Sequence, residues 1–216
     1  MPNSTCGLGN TYLLLDLHRF EIIHYFERTQ AVELYAQKLL FDCIAENIDF
    51  SKGDITFGTA DLGRPKWVET YSSHFGVGLV LCRAPKEYNE RTVESMKEPV
   101  GDVEGKHVIV YDDMVRSSKT IIAAAENYLK HGATKVSAVI THFAVFDEEA
   151  VKALVDSKID LIITTNSHQH SQLPIVAKSK KIIVIDVSDV FIEQIKKLIN
   201  VEEGPRTSSP LALAFE

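Results

Sequence analysis

Short β-branched segments alternate with amphipathic helical segments along most of the chain. The strand-like segments are 11–18, 54–61, 77–82, 107–113, 135–142, 159–165 and 181–186. The helical segments between them are 31–48, 65–75, 118–132, 147–157 and 188–199. This alternation predicts an α/β fold, a parallel-stranded twisted sheet with helices on both faces. The strand segments are apolar on both sides, as a sheet covered on both faces requires.

Many of the predicted strands end in polar residues. Ligands of open parallel sheets bind beyond the carboxyl ends of the strands, so these positions are the first candidates for a site. They are Asp16, His18, Asp61, Arg83, Asp112, Asp113, Thr141, His142, Thr164 and Thr165.

Composition limits the class of protein. The 216 residues are 45% hydrophobic, which suits one globular domain with a sizeable core, or two small ones. A net charge of -7 argues against a general nucleic-acid binder. The three cysteines are too few and too scattered for a disulfide framework or a zinc cluster, so we expect a reducing, cytoplasmic setting. No apolar run approaches the length of a membrane span, and the first residues lack the pattern of a signal peptide.

The segment VIVYDDMVRSSKTI, residues 108–121, combines two adjacent carboxylates with the start of a helix. Asp112 and Asp113 at a strand end can bind hydroxyl groups or a hydrated metal ion. The free N–H groups of the following helix N-terminus favour an anion. Side chains that could add donors or charge there are Arg116, Ser117, Ser118, Lys119 and Thr120. Together they suit a sugar phosphate, and the alternative is a solvated β–α turn.

This segment resembles the ribose-phosphate loop of the type I phosphoribosyltransferases. The longer text GDVEGKHVIVYDDMVRSSKTIIAAAENYLKHGATKVSAVITH resembles ribose-phosphate diphosphokinase, also called phosphoribosyl pyrophosphate synthetase. LLLDLHRFEIIHYF and ADLGRPKWVETY resemble the same family and occur in its order. With the last strands, the resemblance covers residues 12–199, mainly the C-terminal domain of that family.

The resemblance implies a reaction and a set of sugar contacts. The family transfers diphosphate from ATP to the 1-hydroxyl of ribose 5-phosphate, for nucleotide synthesis. Asp112 and Asp113 would hold the 2- and 3-hydroxyls of the ribose, and residues 116–120 would hold the 5-phosphate.

The resemblance also implies a magnesium–ATP site. The Asp-x-His motif lies at Asp16 and His18, which would bind ATP. His18 and Asp61 would be associated with Mg²⁺, the expected cofactor, and Asp61 belongs to an Asp-x-Gly motif that ends at Gly63. Taken alone, His18 would be a hydrogen-bonded residue at a strand end, and Asp61 a turn or N-cap residue.

The polar connection 83–105 is longer than most loops of compact domains. In the family, the loop that follows the strand corresponding to 77–82 carries the catalytic lysine and arginine. Arg83 and Lys86 are the candidates here, and Arg91 is a more distant one. The alternative is a solvated basic loop.

Two departures from the family raise alternatives. Ser118 and Lys119 stand where the family has two glycines, and the family's N-terminal domain has no counterpart here. The chain is therefore a diphosphokinase-like enzyme, a phosphoribosyltransferase that uses phosphoribosyl pyrophosphate, or a non-catalytic homologue that binds sugar phosphate. We expect a flexible lead-in over 1–10, a phosphoribosyltransferase-like domain over 11–200 and a flexible tail over 201–216. ATP, ribose 5-phosphate and further copies of the chain are the expected partners, without nucleic acid or membrane.

Overall fold

The computed structural model describes residues 11–26, 31–63, 65–85, 87 and 90–199. The chain divides into two compact units, of which one is Lys38–Asp186 and the other combines Met1–Gln37 with Val187–Glu216. The predicted lead-in and tail lie outside the described residues. The predicted domain boundaries stay a prediction.

The larger unit is built on one six-stranded sheet in which every strand pairing is parallel. Its strands, in chain order, are β3 (Ile55–Thr59), β4 (Gly78–Val80), β5 (His107–Val115), β6 (Lys135–Phe143), β7 (Leu161–Thr165) and β8 (Ile182–Ile185). Their order across the sheet is β4-β3-β5-β6-β7-β8. The long β5 therefore lies inside the sheet, where both of its edges are hydrogen-bonded.

Helices cover both faces of this sheet, as predicted. They are α1 (Gln37–Asn47), α2 (Pro65–Phe75), α3 (Lys119–Lys130), α4 (Glu148–Asp156) and α5 (Pro174–Lys178). Successive residues of a strand point to opposite faces. Accordingly, Tyr111 of β5 stacks on Tyr71 of α2 with ring centroids 4.4 Å apart. Val110, the preceding residue, packs in the buried cluster that contains Tyr128 of α3.

Close packing between α3 and β3 depends on one glycine. A Cβ atom at Gly58 of β3 would lie 2.8 Å from Val108 Cγ1 and 2.9 Å from the hydroxyl of Tyr128. Glycine at this position lets α3 approach β3 closely. The Tyr128 hydroxyl then donates a hydrogen bond to the Thr59 carbonyl, at 2.8 Å.

The smaller unit contains β1 (Tyr12–Leu15), β2 (Ala31–Leu34), a 3-10 helix (Phe20–Tyr25) and α6 (Ser188–Ile199). β1 and β2 form a two-stranded parallel sheet, with Tyr12 opposite Ala31. Only Leu34 of its strand residues is buried. The apolar side of α6 is partly exposed, and Ile199 is 72% accessible.

Several predicted elements are confirmed and some are corrected. The helix predicted over 65–75 has those bounds, and Gly132 ends α3 with φ +93°, in the left-handed region that favours glycine. Residues 31–34, predicted as the start of a helix, form a strand because they pair with β1. The strand predicted to end at Asp113 continues to Val115. None of the described helices has the length and apolar character needed to cross a bilayer.

Candidate functional site

The polar strand ends of the larger unit share one edge of the sheet because its strands are parallel. Asp61 follows β3, Asp112 and Asp113 lie near the end of β5, and residues 116–118 connect β5 to α3. We call this region the carboxyl edge.

Asp112 and Asp113 are still part of the hydrogen-bonded sheet. Asp112 is opposite Ile140 of β6, and the ladder continues to Val115. Asp113 is buried, whereas Asp112 is partly accessible. Although part of the residue is accessible, the loss of water around its carboxyl group raises the pKa of Asp112 well above its ordinary value, and the charges of Asp113 and Asp61 raise it further. The two acids are thus close enough to interact, and they form a crowded group of acceptors at the end of the strand.

The turn after β5 leads directly into α3. Ser118, the N-cap residue, has φ -64° and ψ -21°, so its helical backbone does not require glycine. Its side chain makes no capping hydrogen bond to the first turn. Ser118 and Thr120 are buried, and Lys119 and Arg116 are exposed. The N–H of Lys119, the first residue of α3, donates to the Ser117 hydroxyl at 3.4 Å, a long hydrogen bond. Because the Ser118 side chain does not cap the helix, this turn is suited to an anion.

Asp61 is held on both of its carboxylate oxygens. Oδ1 accepts a hydrogen bond from the backbone N–H of Gly63 at 2.7 Å. Oδ2 accepts one from Nη1 of Arg91 at 3.2 Å, within an ion pair. Nη1 also donates to the Thr120 hydroxyl at 3.1 Å. Arg91 thereby connects the end of β3 with the start of α3.

Arg91 is the contact at this edge that sequence reasoning underestimated. Its Nε donates to the Pro85 carbonyl at 3.2 Å, which fixes the guanidinium within its own loop. Antiparallel hydrogen bonds between Leu81 and Val100, each 2.9 Å, close the base of that loop. The available signal was a basic residue in the middle of a long loop after β4.

Of the two preferred catalytic candidates in this loop, only Arg83 lies within the described residues. Arg83 is exposed, and its carbonyl accepts from the N–H of Lys97 at 3.0 Å. Lys86 lies outside the described residues. Neighbouring Cys82 is buried, which raises the pKa of its thiol, and its N–H donates to the Thr59 hydroxyl at 2.9 Å. Cys82 therefore holds β4 against β3.

The other polar strand ends contact one another. The Thr165 hydroxyl donates to the Thr141 carbonyl at 2.8 Å, and His142 Nδ1 is 2.8 Å from the Ser167 hydroxyl. These contacts close the ends of β6 and β7. They give Thr165 and His142 a structural role, whereas the buried Thr164 hydroxyl makes no hydrogen bond within the described residues.

Asp16 and His18 belong to the smaller unit. Asp16 is 3% accessible and has φ +41°, an uncommon backbone conformation for a residue other than glycine. Its Oδ2 accepts from the N–H of Ala36 at 3.2 Å, and its N–H donates to Leu34 O at 2.9 Å. His18 is exposed. The Asp-x-His motif thus combines a buried, conformationally strained acid with an accessible histidine.

The donor chemistry of the carboxyl edge fits magnesium that arrives with a phosphate ligand. Within the described residues, no group of three or more His, Cys, Asp or Glu side chains could hold a metal ion. Mg²⁺ uses one or two carboxylates together with phosphate oxygens and water, so it does not need such a cage. Asp61 could supply an oxygen, but Arg91 already neutralises that carboxylate.

Comparison with known proteins identifies the family. Residues 85–205 match the family model of the phosphoribosyl synthetase-associated domain, which is more than half of the chain. The chain belongs to the phosphoribosyl synthetase-associated domain family.

Relatives of this chain include several ribose-phosphate pyrophosphokinases. A ribose-phosphate pyrophosphokinase of Porphyromonas gingivalis is 29% identical over 90% of this chain and 59% of its own length. Ribose-phosphate pyrophosphokinase 3 of Saccharomyces cerevisiae is 30% identical over 92% of this chain and 59% of its own length. The chain therefore spans about 59% of the length of these relatives.

Solved structures agree with this family assignment. The phosphoribosylpyrophosphate synthetase of Mycobacterium smegmatis superposes with a TM-score of 0.72 at 25% identity. The match covers 87% of this chain and 58% of that protein. It confirms the predicted fold class.

Proposed function

We propose that this chain is a ribose-phosphate diphosphokinase-like protein. It transfers the diphosphoryl group of ATP to the 1-hydroxyl of ribose 5-phosphate, and the products are phosphoribosyl pyrophosphate and AMP. The observation that carries the proposal is the 29–30% identity, over about nine-tenths of the chain, to relatives named ribose-phosphate pyrophosphokinase.

The carboxyl edge supports the sugar-phosphate half of this proposal. Asp112 and Asp113 accept hydrogen bonds from the ribose 2- and 3-hydroxyls, which requires acceptors near the end of β5. The N–H groups at the start of α3 hold the 5-phosphate. The side chains of this segment that add hydroxyl groups or positive charge are Arg116, Ser117, Ser118, Lys119 and Thr120.

The nucleotide half rests on the family resemblance. Asp16 and His18 bind ATP, and Arg83 and Lys86 neutralise charge on the transferred phosphates. Mg²⁺ is the proposed cofactor, and when bound it shields the phosphate charges. The residues proposed to contact Mg²⁺ are His18 in the smaller unit and, separately, Asp61 in the larger unit. A homo-oligomeric assembly and a cytoplasmic location stay predictions, as does the absence of nucleic-acid and membrane partners.

A second candidate is a homologue that binds ribose 5-phosphate without transferring diphosphate. The specific observation in its favour is the buried Ser118 side chain, followed by Lys119, where the family has glycines. Both candidates use the same sugar-phosphate site. They differ only in turnover.

Product analysis separates these candidates. The purified chain is incubated with ATP, ribose 5-phosphate and Mg²⁺, and AMP is quantified. We expect AMP to form only when ribose 5-phosphate is present. Binding of ribose 5-phosphate by calorimetry without AMP formation would favour the second candidate. Pyrophosphate release from phosphoribosyl pyrophosphate and a base would favour a phosphoribosyltransferase.

The sugar site is tested by the double variant Asp112→Asn, Asp113→Asn. We expect it to lose measurable ribose 5-phosphate binding, since amides are poorer acceptors than carboxylates for two sugar hydroxyls. Asp42→Asn is the control, because Asp42 is exposed and paired with Lys38 within α1. Unchanged affinity in a double variant with a native circular dichroism spectrum would mean that the acidic pair is structural.

A further inference from the structure

Arg91 and Asp61 form an ion pair between distant parts of the chain. They lie 30 positions apart, whereas the ion pairs Lys38–Asp42, Lys106–Asp102 and Lys152–Asp156 each join residues four positions apart. Only 19% of the Arg91 side chain and 33% of the Asp61 side chain are accessible to solvent. Partial burial reduces screening by water, so this pair is held more firmly than a pair on the open surface.

Within the described residues, the guanidinium of Arg91 contacts partners on three different segments. They are the Pro85 carbonyl, the Asp61 carboxylate and the Thr120 hydroxyl. Arginine stays charged at every accessible pH. The carboxyl edge therefore has a permanent cation beside the carboxylate that was predicted to contact magnesium.

A divalent cation and Arg91 cannot share this carboxylate without repulsion. Mg²⁺ binds carboxylate oxygens at about 2 Å, and the Arg91 Nη1 atom lies 3.2 Å from Asp61 Oδ2. The other oxygen is engaged by the N–H of Gly63 at 2.7 Å. An arriving cation must displace the guanidinium or bind beside it with reduced affinity.

We infer that Arg91 is the resident counter-ion of Asp61 and competes with divalent cations for that carboxylate. Arg91 is thus a positioning residue that reduces the magnesium requirement of sugar-phosphate binding. The competition for Asp61 is the first consequence, and the reduced magnesium requirement is the second. The second consequence rests on the proposed function, because it assumes that ribose 5-phosphate binds at the carboxyl edge.

The competition is tested first without any sugar phosphate. Mn²⁺ is titrated into the full chain, and free Mn²⁺ is measured by electron paramagnetic resonance. We expect Arg91→Met to bind Mn²⁺ roughly tenfold more tightly than the unsubstituted chain, because one neighbouring positive charge is gone. The double variant Arg91→Met, Asp61→Asn should lose this gain, and Arg91→Lys should retain the unsubstituted affinity.

Lys106→Met is the matched control. Lys106 is also a partly buried cation in an ion pair, with 25% of its side chain accessible, but it precedes β5 at the opposite end of the strand. Its Mn²⁺ affinity should stay within about twofold of the unsubstituted chain. Equal Mn²⁺ affinity in Arg91→Met and the unsubstituted chain, or no Mn²⁺ binding by either, overturns the competition. A gain that survives Asp61→Asn overturns it as well.

Folding of each variant is checked by circular dichroism. If Arg91→Met fails to fold, Arg91→Gln replaces it, because glutamine removes the charge and keeps an N–H donor for Thr120. The same expected gain in Mn²⁺ affinity then applies to Arg91→Gln.

Calorimetry with ribose 5-phosphate tests the second consequence. In EDTA, Arg91→Met should bind more weakly than the unsubstituted chain, and Mg²⁺ should restore most of the loss. The affinity of the unsubstituted chain should change less than about threefold between EDTA and Mg²⁺. An equal Mg²⁺ dependence in both proteins overturns the role of Arg91. An unsubstituted chain that does not bind ribose 5-phosphate under either condition overturns the proposed function, while the Mn²⁺ titration still decides the competition.

Discussion

The two ends of β5 accommodate ionisable side chains differently. At the amino end, His107 Nε2 lies 2.9 Å from the Ser137 hydroxyl, and burial lowers the pKa of His107 to about 4. The ring is therefore neutral at pH 7, and its hydrogen bond satisfies it. At the carboxyl end, three acidic side chains interact so closely that Asp113 and Asp61 add to the raised pKa of Asp112.

This difference separates structural from functional use of polar residues. At the amino end, burial keeps His107 uncharged, and Ser137 satisfies its Nε2 atom. This arrangement contributes to stability and offers no charge to a ligand. The carboxyl end concentrates carboxylates, which is unfavourable unless a ligand or counter-ion uses them. Arg91 supplies part of that compensation within the chain.

The largest expected effect concerns the amino end, where His107→Gln should make the chain resistant to mild acid. In the folded chain the pKa of His107 falls from 6.5 to about 4, so its contribution to stability is complete above pH 6.5 and is lost as the pH falls towards 4. At about 1.4 kcal/mol per pKa unit, the loss is up to about 3 kcal/mol. Urea unfolding at pH 7 and at pH 4 measures it.

The variant should lose less stability than the unsubstituted chain over this interval. His24→Gln, at an exposed position, is the control and should leave the pH dependence unchanged. An identical pH dependence in His107→Gln and the unsubstituted chain would contradict the assignment of acid sensitivity to this end of β5.

At the carboxyl end, Asp112→Asn should stabilise the chain at pH 7 and weaken ligand binding. A raised pKa means that the stability contributed by Asp112 is complete below pH 3.8 and is lost as the pH rises through the raised value. Asparagine removes that loss, so Tm at pH 7 should increase, and the difference should shrink towards pH 4. Ribose 5-phosphate affinity should fall roughly 10- to 100-fold, since a hydrogen bond to a charged group contributes about 1.5–3 kcal/mol.

Asp156→Asn is the control for this variant. Asp156 is exposed on α4 and pairs with Lys152 at 3.9 Å. Its substitution should change neither Tm at pH 7 nor ligand affinity appreciably. A lower Tm for Asp112→Asn at pH 7 would show that Asp112 is held by stabilising contacts, like His107.

A smaller effect is expected for Tyr128→Phe, which removes the hydrogen bond that α3 makes to the Thr59 carbonyl. The loss should be about 1–2 kcal/mol of unfolding free energy, because the buried carbonyl loses a donor. Differential scanning calorimetry measures the shift in Tm. Since Thr59 immediately precedes the turn to Asp61, ribose 5-phosphate affinity should also fall slightly. Unchanged stability would mean that water replaces the hydroxyl.

The smallest effect is expected for Ser118→Gly. The backbone of Ser118 is already helical, so glycine brings no conformational relief and should cost about 0.5–1 kcal/mol of stability. Removing the buried side chain enlarges the proposed phosphate site, so ribose 5-phosphate affinity should rise about twofold. Weaker binding would show that the serine hydroxyl itself contacts the ligand.

Local pattern was sufficient for most of the fold. Helical periodicity located α2 to the residue, and the helix predicted over 147–157 corresponds to α4, whose N-cap Asp147 accepts from the N–H of Ala150 at 2.7 Å. The clearest exception was 31–34, where a helical pattern and a strand share the same apolar residues. Pairing with β1 makes this segment a strand. A local sequence pattern cannot predict that pairing, because it depends on a second segment of the chain.

The acidic pair and the polar turn at residues 112–120 could be identified from the sequence. They are adjacent in the chain. The β–α alternation predicts a parallel sheet, and ligands of such sheets bind at the carboxyl ends of the strands, where these residues lie. The Ser–Lys replacement of two glycines was visible as well. The effect of this replacement on the backbone was not visible from the sequence. Only the backbone angles of Ser118 show that its conformation is helical and does not require glycine.

The sequence by itself determined the fold class and the polar segment at the end of β5, because both follow from patterns among residues a few positions apart. Only the tertiary structure decided what neutralises Asp61. Arg91 reaches that carboxylate across 30 positions, through a loop whose path depends on the Leu81–Val100 hydrogen bonds and on contacts with Pro85 and Thr120. Electrostatic pairing depends on distance in space, and distance along the chain does not report it.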